Sequence, residues 1–538
     1  MNDELLEYFK GDDLAAQVWL DKYALQGEKT PDDMHKRLAK EFARIELKNK
    51  SEESSKNIEF LSEYGVNRDF KEEHIEGIIY NLFKDFKYIV PQGSIMSQLG
   101  SSSIGSLSNC FVVGQPEDSY GGIFQKDEEI AQLEKRRGGV GIDISTLRPN
   151  MAPTSNAAKT STGAVSFMHR FSNTTREVAQ NGRRGALMIS MDVRHPDIMD
   201  FIKMKRDLSQ VTGANISIKL NDEFMKAVEA DEDYILRFPT TVNIDNAYWA
   251  TTEEASKQPR WDSFKYNTSY SVYDGDTGNS VYIKKIKAKE YWDEIIKSAH
   301  SVAEPGLMYW DKMVNYSPDG VYPQFKQVTT NPCSEIGMQP YDACRLIAVN
   351  LYNFVEKPFT KEAQFNLDDF YEINYEAMRL SDNLIDLDIE HIDRIIAKIE
   401  MDPEPMMLKF TEMALWKKIR LTALSSRRTG LGFTALGDVL AALGLKYGSE
   451  EANKIIDSIM YTKMESELDC TIDLAILRGT FEGWDNKLEY PNEGGSYEDK
   501  GGNDFYNFIL SEFPKQAFRM MTFGRRNVSW STVNGGLV

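Results

Sequence analysis

The sequence predicts an α/β protein preceded by a helical layer, and three observations carry that expectation. Over the first ninety residues apolar side chains recur at three- to four-residue spacing; from Ile89 onward short apolar strands, glycine-rich turns and longer helices alternate; and 538 residues with 41% hydrophobic content can build a large core. Strand and helix in alternation imply a parallel sheet. The expected organisation is a helical region over 1–88 and an α/β region over 89–538.

Taken in order, Thr30-Pro31-Asp32-Asp33 reads as a capped helix start with proline at the first helical position, followed by Met34, Leu38, Phe42 and Ile45 on one face. Val140-Gly141-Ile142 reads as a strand, then a loop, then a helix over 163–180. A polar, aromatic-rich insertion over 251–279, with Asp274-Gly275-Asp276-Thr277-Gly278 as its turn signal, reads as a surface excursion. Helices are expected over 288–302 and as one long region over 373–424, ahead of Gly430-Leu431-Gly432. Cys470, in a helical stretch over 463–476, reads as a core residue.

Charge and cysteine content narrow the function. A net charge of −20 argues against a protein that grips polymeric nucleic acid, which needs a basic face. Mononucleotides remain open, because a few arginines and helix N-termini suffice for a di- or triphosphate. Four cysteines and an amino terminus reading Met1-Asn2-Asp3-Glu4, without a secretory leader, fit a reducing cytoplasm better than a disulfide scaffold. No apolar run approaches the roughly 20 residues of a membrane helix. The cysteines lack C-x-x-C spacing and a neighbouring histidine pair, so no metal site is expected.

The chemistry-bearing stretch is Asn331-Pro332-Cys333-Ser334-Glu335, with Cys344 following. In an extended segment alternate residues face one side, so Asn331, Cys333 and Glu335 can meet one substrate, with Pro332 holding a loop or extended backbone. The alternative is a buried cysteine in a turn. A third cysteine, Cys110, lies upstream in Ser106-Leu107-Ser108-Asn109-Cys110. With these come Arg136-Arg137-Gly138-Gly139-Val140-Gly141, Ser161-Thr162-Gly163, Gln180-Asn181-Gly182-Arg183-Arg184-Gly185 and Arg428-Thr429-Gly430-Leu431-Gly432. Together, and in this order, the blocks make the chain resemble the large, catalytic subunit of ribonucleotide reductase.

The resemblance implies a ten-stranded α/β barrel of two parallel five-stranded halves, with the catalytic cysteine on a loop through its centre. It implies a thiyl radical at Cys333, a base at Glu335 that takes the 3′-hydroxyl proton, and a sugar-orienting amide at Asn331. Cys110 and Cys344 match the pair that supplies two electrons and ends as a disulfide. Substrate would also meet Ser94 and Ser97, in a loop over 92–97, and Asn109. Asp118 matches the residue touching the nucleoside of a deoxynucleoside triphosphate effector, and Arg148 a phosphate ligand. Asn181, Arg183 and Arg184 match the loop that carries effector identity, where the plain alternative is a solvated basic turn. The specificity site of this family lies at a dimer interface, so a homodimer is implied.

Further implied partners are a ribonucleoside di- or triphosphate, a thioredoxin- or glutaredoxin-type reductant, and a radical source. That source is either adenosylcobalamin or a separate metal-containing subunit. Two departures from the family stand out. No room is expected for an N-terminal ATP-cone, so shutdown by dATP is not expected. After Ser529-Trp530-Ser531-Thr532-Val533-Asn534 relatives continue into a Pro-Thr-Gly phosphate loop and further strands, so the expected barrel is incomplete at its C-terminal end. The chain is then either an enzyme completed by a C-terminal fragment, or an inactive nucleotide-binding or structural remnant that keeps the effector site and dimer surface.

Overall fold

The computed structural model describes residues 3–63, 74–178, 185–239, 263, 265–273, 280–491 and 501–531. They form an α/β fold with a helical N-terminal region, divided into two compact units. The first comprises Met1–Cys110, Tyr316–Lys326 and Asp342–Val538, the second Phe111–Asn315 and Gln327–Tyr341.

In the first unit the helix Pro31–Glu52 starts where the sequence places it. The Asp33 carboxylate accepts hydrogen bonds from the backbone N–H groups of Lys29 (2.9 Å) and Thr30 (3.4 Å), satisfying donors that a helix start leaves open. Met34, Leu38, Phe42 and Ile45 are fully buried. They join one core with Ile79 and Phe83 of the helix Ile75–Phe83 and with Met378 and Leu384 of the helix Leu367–Met401. Cys470 lies buried in the same core, on the helix Glu450–Arg478.

The long helical region expected over 373–424 is two helices, Leu367–Met401 and Met406–Ser426. The break is the segment Asp402-Pro403-Glu404-Pro405: each proline lacks an N–H and drives the residue before it toward extended backbone, and Asp402 sits at φ −61°, ψ 137°. Beneath these helices runs a three-stranded sheet in which Leu346–Asn350 pairs antiparallel with Ile89–Pro91 and parallel with Gly430–Thr434.

The second unit is built on parallel strands Gly139–Asp143, Leu187–Asp192, Asn215–Leu220 and Gly306–Tyr309, in that order. The strand Cys110–Val112 lies beside the first of them. The connecting helices bury one sheet face. Val140, Ile142 and Ile189 are fully buried.

The helix expected over 163–180 is a short 3-10 turn, Ala164–Phe167, continuing into Met168–Glu177. The insertion over 251–279 supplies one described strand, Ser269–Tyr273, antiparallel to Ser280–Lys287; its turn at 274–278 lies outside the described residues. The helix Ala288–Val302 follows. Among the described residues no helix is long and apolar enough to cross a membrane.

Candidate active site

The Asn331-Pro332-Cys333-Ser334-Glu335 stretch forms the tip of a hairpin. Its arms are the strands Thr329–Thr330 and Gly337–Met338, paired antiparallel. The extended backbone expected at the tip gives way to a tight turn, in which the Ser334 N–H donates to Asn331 O (3.0 Å). Pro332 sits at the second turn position, where its fixed φ is already right, and Ser334 takes φ +68°. Asn331 closes the turn: its N–H donates to Ile336 O (3.2 Å) and its Oδ1 accepts from the Ile336 N–H (3.1 Å). Asn331 is fully buried, Glu335 is half-buried and Cys333 is exposed.

The hairpin is fastened across one face of the parallel sheet. A side chain on Gly141 would put its Cβ 1.9 Å from Thr330 O, and one on Gly139 would meet Pro332 Cγ at 3.1 Å, so glycine at alternate strand positions admits the cysteine turn. Ser190 Oγ bonds Thr329 Oγ1 at 2.7 Å, and the Lys219 ammonium donates to Val328 O at 3.0 Å. Lys219 is held in turn by the buried carboxylate of Asp143 (2.8 Å), which also accepts from Ser190 Oγ (2.9 Å). Burial raises the Glu335 carboxyl above its usual range, opposed by the Asn331 amide and its own backbone N–H. A carboxyl so placed suits proton transfer to and from a bound hydroxyl.

Cys110 and Cys344, both buried and both in the first unit, stand on adjacent strands. The segment leading to Cys110 is held residue by residue. His391 Nδ1 bonds Gly105 O (3.0 Å), Gln98 Nε2 donates to Ser106 O (2.6 Å), and Asn109 Oδ1 accepts from the Ser94 N–H (3.1 Å). Residues 92–97 are not a loop: Gly93–Gln98 is a short helix, begun when the Ile95 and Met96 N–H groups reach back to Gln92 O. Ser97 Oγ donates to Gly93 O (2.8 Å) within that helix. Ser94 Oγ and Asn109 Nδ2 are buried and have no hydrogen-bond partner among the described residues.

Asp118 and Arg148 meet in the second unit. Arg148 Nε donates to Asp118 Oδ2 (2.7 Å) and its backbone N–H to Oδ1 (3.1 Å). They border a cavity of about 240 Å³ that also takes in Ser119, Tyr120, Ser161 and Phe167. Ser119 caps the helix Tyr120–Glu134, its side chain accepting from the Gly122 N–H, so the helix N-terminus opens at the cavity. Tyr120 stacks on Phe124 with ring centroids 5.9 Å apart. Asn181, Arg183 and Arg184 lie outside the described residues.

Sequence reasoning missed Asp143, Lys219, Ser119, Tyr120 and Phe167. Ser119 alone had a local signal, a helix-capping residue directly after Asp118. Asp143, Lys219 and Phe167 act through partners distant in sequence.

The ribonucleotide reductase barrel-domain model matches residues 108–531. The chain belongs to that family. It is 27% identical over 402 residues to a vitamin B12-dependent ribonucleoside-diphosphate reductase of Mycobacterium tuberculosis, covering 74% of this chain and 48% of that protein. A protein of the same description from Thermoplasma acidophilum is 28% identical over 439 residues, 81% of this chain and 47% of its own length. The ribonucleoside-diphosphate reductase large subunit of Variola virus is 24% identical over 460 residues, 83% of this chain and 52% of the viral one. The chain thus spans about half the length of these curated relatives.

Proposed function

We propose that the chain is the catalytic part of a ribonucleotide reductase, which replaces the ribose 2′-hydroxyl by hydrogen for deoxyribonucleotide supply in the cytoplasm. The observation that carries this reading is the hairpin. An exposed Cys333 lies two residues from a half-buried Glu335 whose carboxyl is raised, and the turn is closed by a buried Asn331. In this reading the Cys333 radical takes the 3′-hydrogen, Glu335 accepts the 3′-hydroxyl proton, Asn331 orients the sugar, and the 2′-oxygen leaves as water. Cys110 and Cys344 then give up two electrons and two protons and join as a disulfide.

Ser94 Oγ and Asn109 Nδ2, buried without partners among the described residues, suit them to a substrate hydroxyl or phosphate; the Ser97 hydroxyl, committed to its helix, suits only acceptance. The radical source, adenosylcobalamin or a metal-containing subunit, supplies the one-electron oxidation of the thiol when bound, and the exposure of Cys333 fits access to it. Residues 1–88 are the helical layer and 89–538 contribute to a ten-stranded barrel, completed by a C-terminal portion of the kind relatives carry. The Asp118 and Arg148 cavity takes a deoxynucleoside triphosphate at a homodimer interface, with Asn181, Arg183 and Arg184 relaying base identity. A thioredoxin- or glutaredoxin-type protein restores the thiols.

The test is deoxynucleotide formation by the full chain with a complementing C-terminal portion, a radical source and a reductant. Turnover lost with Cys333→Ser, and stalled after one cycle with Cys110→Ser or Cys344→Ser, is the expected result. A complex that binds both nucleotides yet makes no product would instead identify a nucleotide-binding remnant.

A further inference from the structure

The side chain of Asp388, on the helix Leu367–Met401, is fully buried and lies beside both segments that carry the cysteine pair. Its Oδ1 accepts from Ser106 Oγ (3.0 Å) and from the Leu107 N–H (2.9 Å). Its Oδ2 accepts from Ser108 Oγ (2.7 Å) and from Arg345 Nε (2.9 Å). The first three donors lie two to four residues before Cys110, and the fourth belongs to the residue after Cys344. Four donors fill the acceptor sites of one carboxylate.

This arrangement exceeds what simple stability requires. A buried ion pair gains little over a packed apolar pair, because both charges must leave water. What a four-coordinate buried carboxylate does supply is a fixed distance between the two chain segments it joins. Its partners are two serine hydroxyls, one backbone N–H and one guanidinium, and Arg345 Nη1 is further held by Arg428 O at 3.2 Å.

We propose that Asp388 is a positioning residue for the thiol pair, holding the strand of Cys110 and the strand of Cys344 at the separation a disulfide needs. This rests on the reading of Cys110 and Cys344 as the electron-donating pair. Disulfide geometry tolerates a narrow span of Cα separation, and adjacent strands lie within it only at the right register and spacing. When the bond forms, each thiol loses one proton and one electron, and Asp388 neither gains nor loses either. Its contribution is the effective concentration of one sulfur at the other.

The experiment equilibrates the full chain with oxidised and reduced dithiothreitol and quantifies the Cys110–Cys344 bond by alkylation and peptide mass spectrometry. Oxidised dithiothreitol takes the two electrons and two protons and becomes the dithiol. Asp388→Asn, which keeps the shape but replaces one accepting oxygen by a donor NH2 and so leaves two of the four donors without their acceptor, should lower the disulfide equilibrium constant by about tenfold or more, as expected for loss of fixed orientation. Ser108→Ala should lower it less. Asn374→Ala, on the same helix but bonded to Lys463 O and Ser466 Oγ, should lower the melting temperature and leave the equilibrium constant unchanged.

If Asp388→Asn does not fold, Ser108→Ala and Arg345→Lys decide the matter. Variants that form the bond as readily as the parent overturn the inference. So does an Asn374→Ala effect equal to that of Asp388→Asn, which would reduce Asp388 to general stability. A parent chain that never forms the bond overturns the pairing itself, an outcome distinct from the other two because no variant is needed to see it.

Discussion

At the scale of single residues the informative groups are charges placed out of water. Glu134 ends the helix Tyr120–Glu134 with its carboxylate against Gly185, and burial pushes its carboxyl up to about 7, opposed by the Thr175 hydroxyl. The folded chain therefore holds this proton more tightly than the unfolded chain. The stability this gives is complete below the ordinary carboxylate range and is lost as the pH rises through about 7. Glu134→Gln removes that loss. At pH 8 the variant should resist urea better than the parent by as much as ~3 kcal/mol, and near pH 4 the two should converge. A gap of the same size at both pH values would contradict the assignment.

Arg148 poses the opposite case, a charge already paired. In the proposed effector site a triphosphate would have to take the guanidinium from Asp118, so Arg148→Ala would lose the phosphate contact but also spare the exchange. Calorimetry should show binding weakened by roughly ten- to a hundredfold, the range of a charge-assisted hydrogen bond at ~1.5–3 kcal/mol. Unchanged affinity would remove Arg148 from the effector site.

At the scale of elements, the cysteine hairpin owes its place to the sheet beneath it. Lys219 links strand to hairpin, pairing with Asp143 on one side and Val328 O on the other. Lys219→Met should leave the Asp143 charge buried without its cation and cost about 3–5 kcal/mol in urea unfolding, with Asp143→Asn recovering part of that loss in the double variant. Additive losses would show that the pair is not coupled.

Elements with local signals were legible in the sequence: the capped start at Thr30, the helix over 288–302 and the strand around Gly141 each announce themselves within a few residues. The hairpin turn was not, because an N-P-C-S-E stretch suits an extended segment as well as a turn. What decides is the pairing of Thr329 with Met338 and the room left by Gly141. The helix break at 402–405 carried its signal in two prolines that the apolar periodicity on either side outweighed.

At the scale of the whole molecule, the family was legible because several short blocks occur in one order, and the barrel-domain match over 108–531 agrees with it. The supporting groups were not, since Asp388 reaches Ser106 across 282 positions and no periodicity reports such a contact. The candidate site residues were named from residue type and from the family resemblance; their supports went unnamed because only the fold decides which side chains meet. In the proposed reaction Cys333 starts the chemistry, and the Cys110 and Cys344 thiols supply its electrons.

The measurement that tests this division of labour most directly is a single turnover of the prereduced, complemented chain without external reductant, with deoxynucleotide and disulfide counted together. The expected result is about one deoxynucleotide and one Cys110–Cys344 bond per chain, since one disulfide yields two electrons. Product formed while both thiols remain reduced would contradict it.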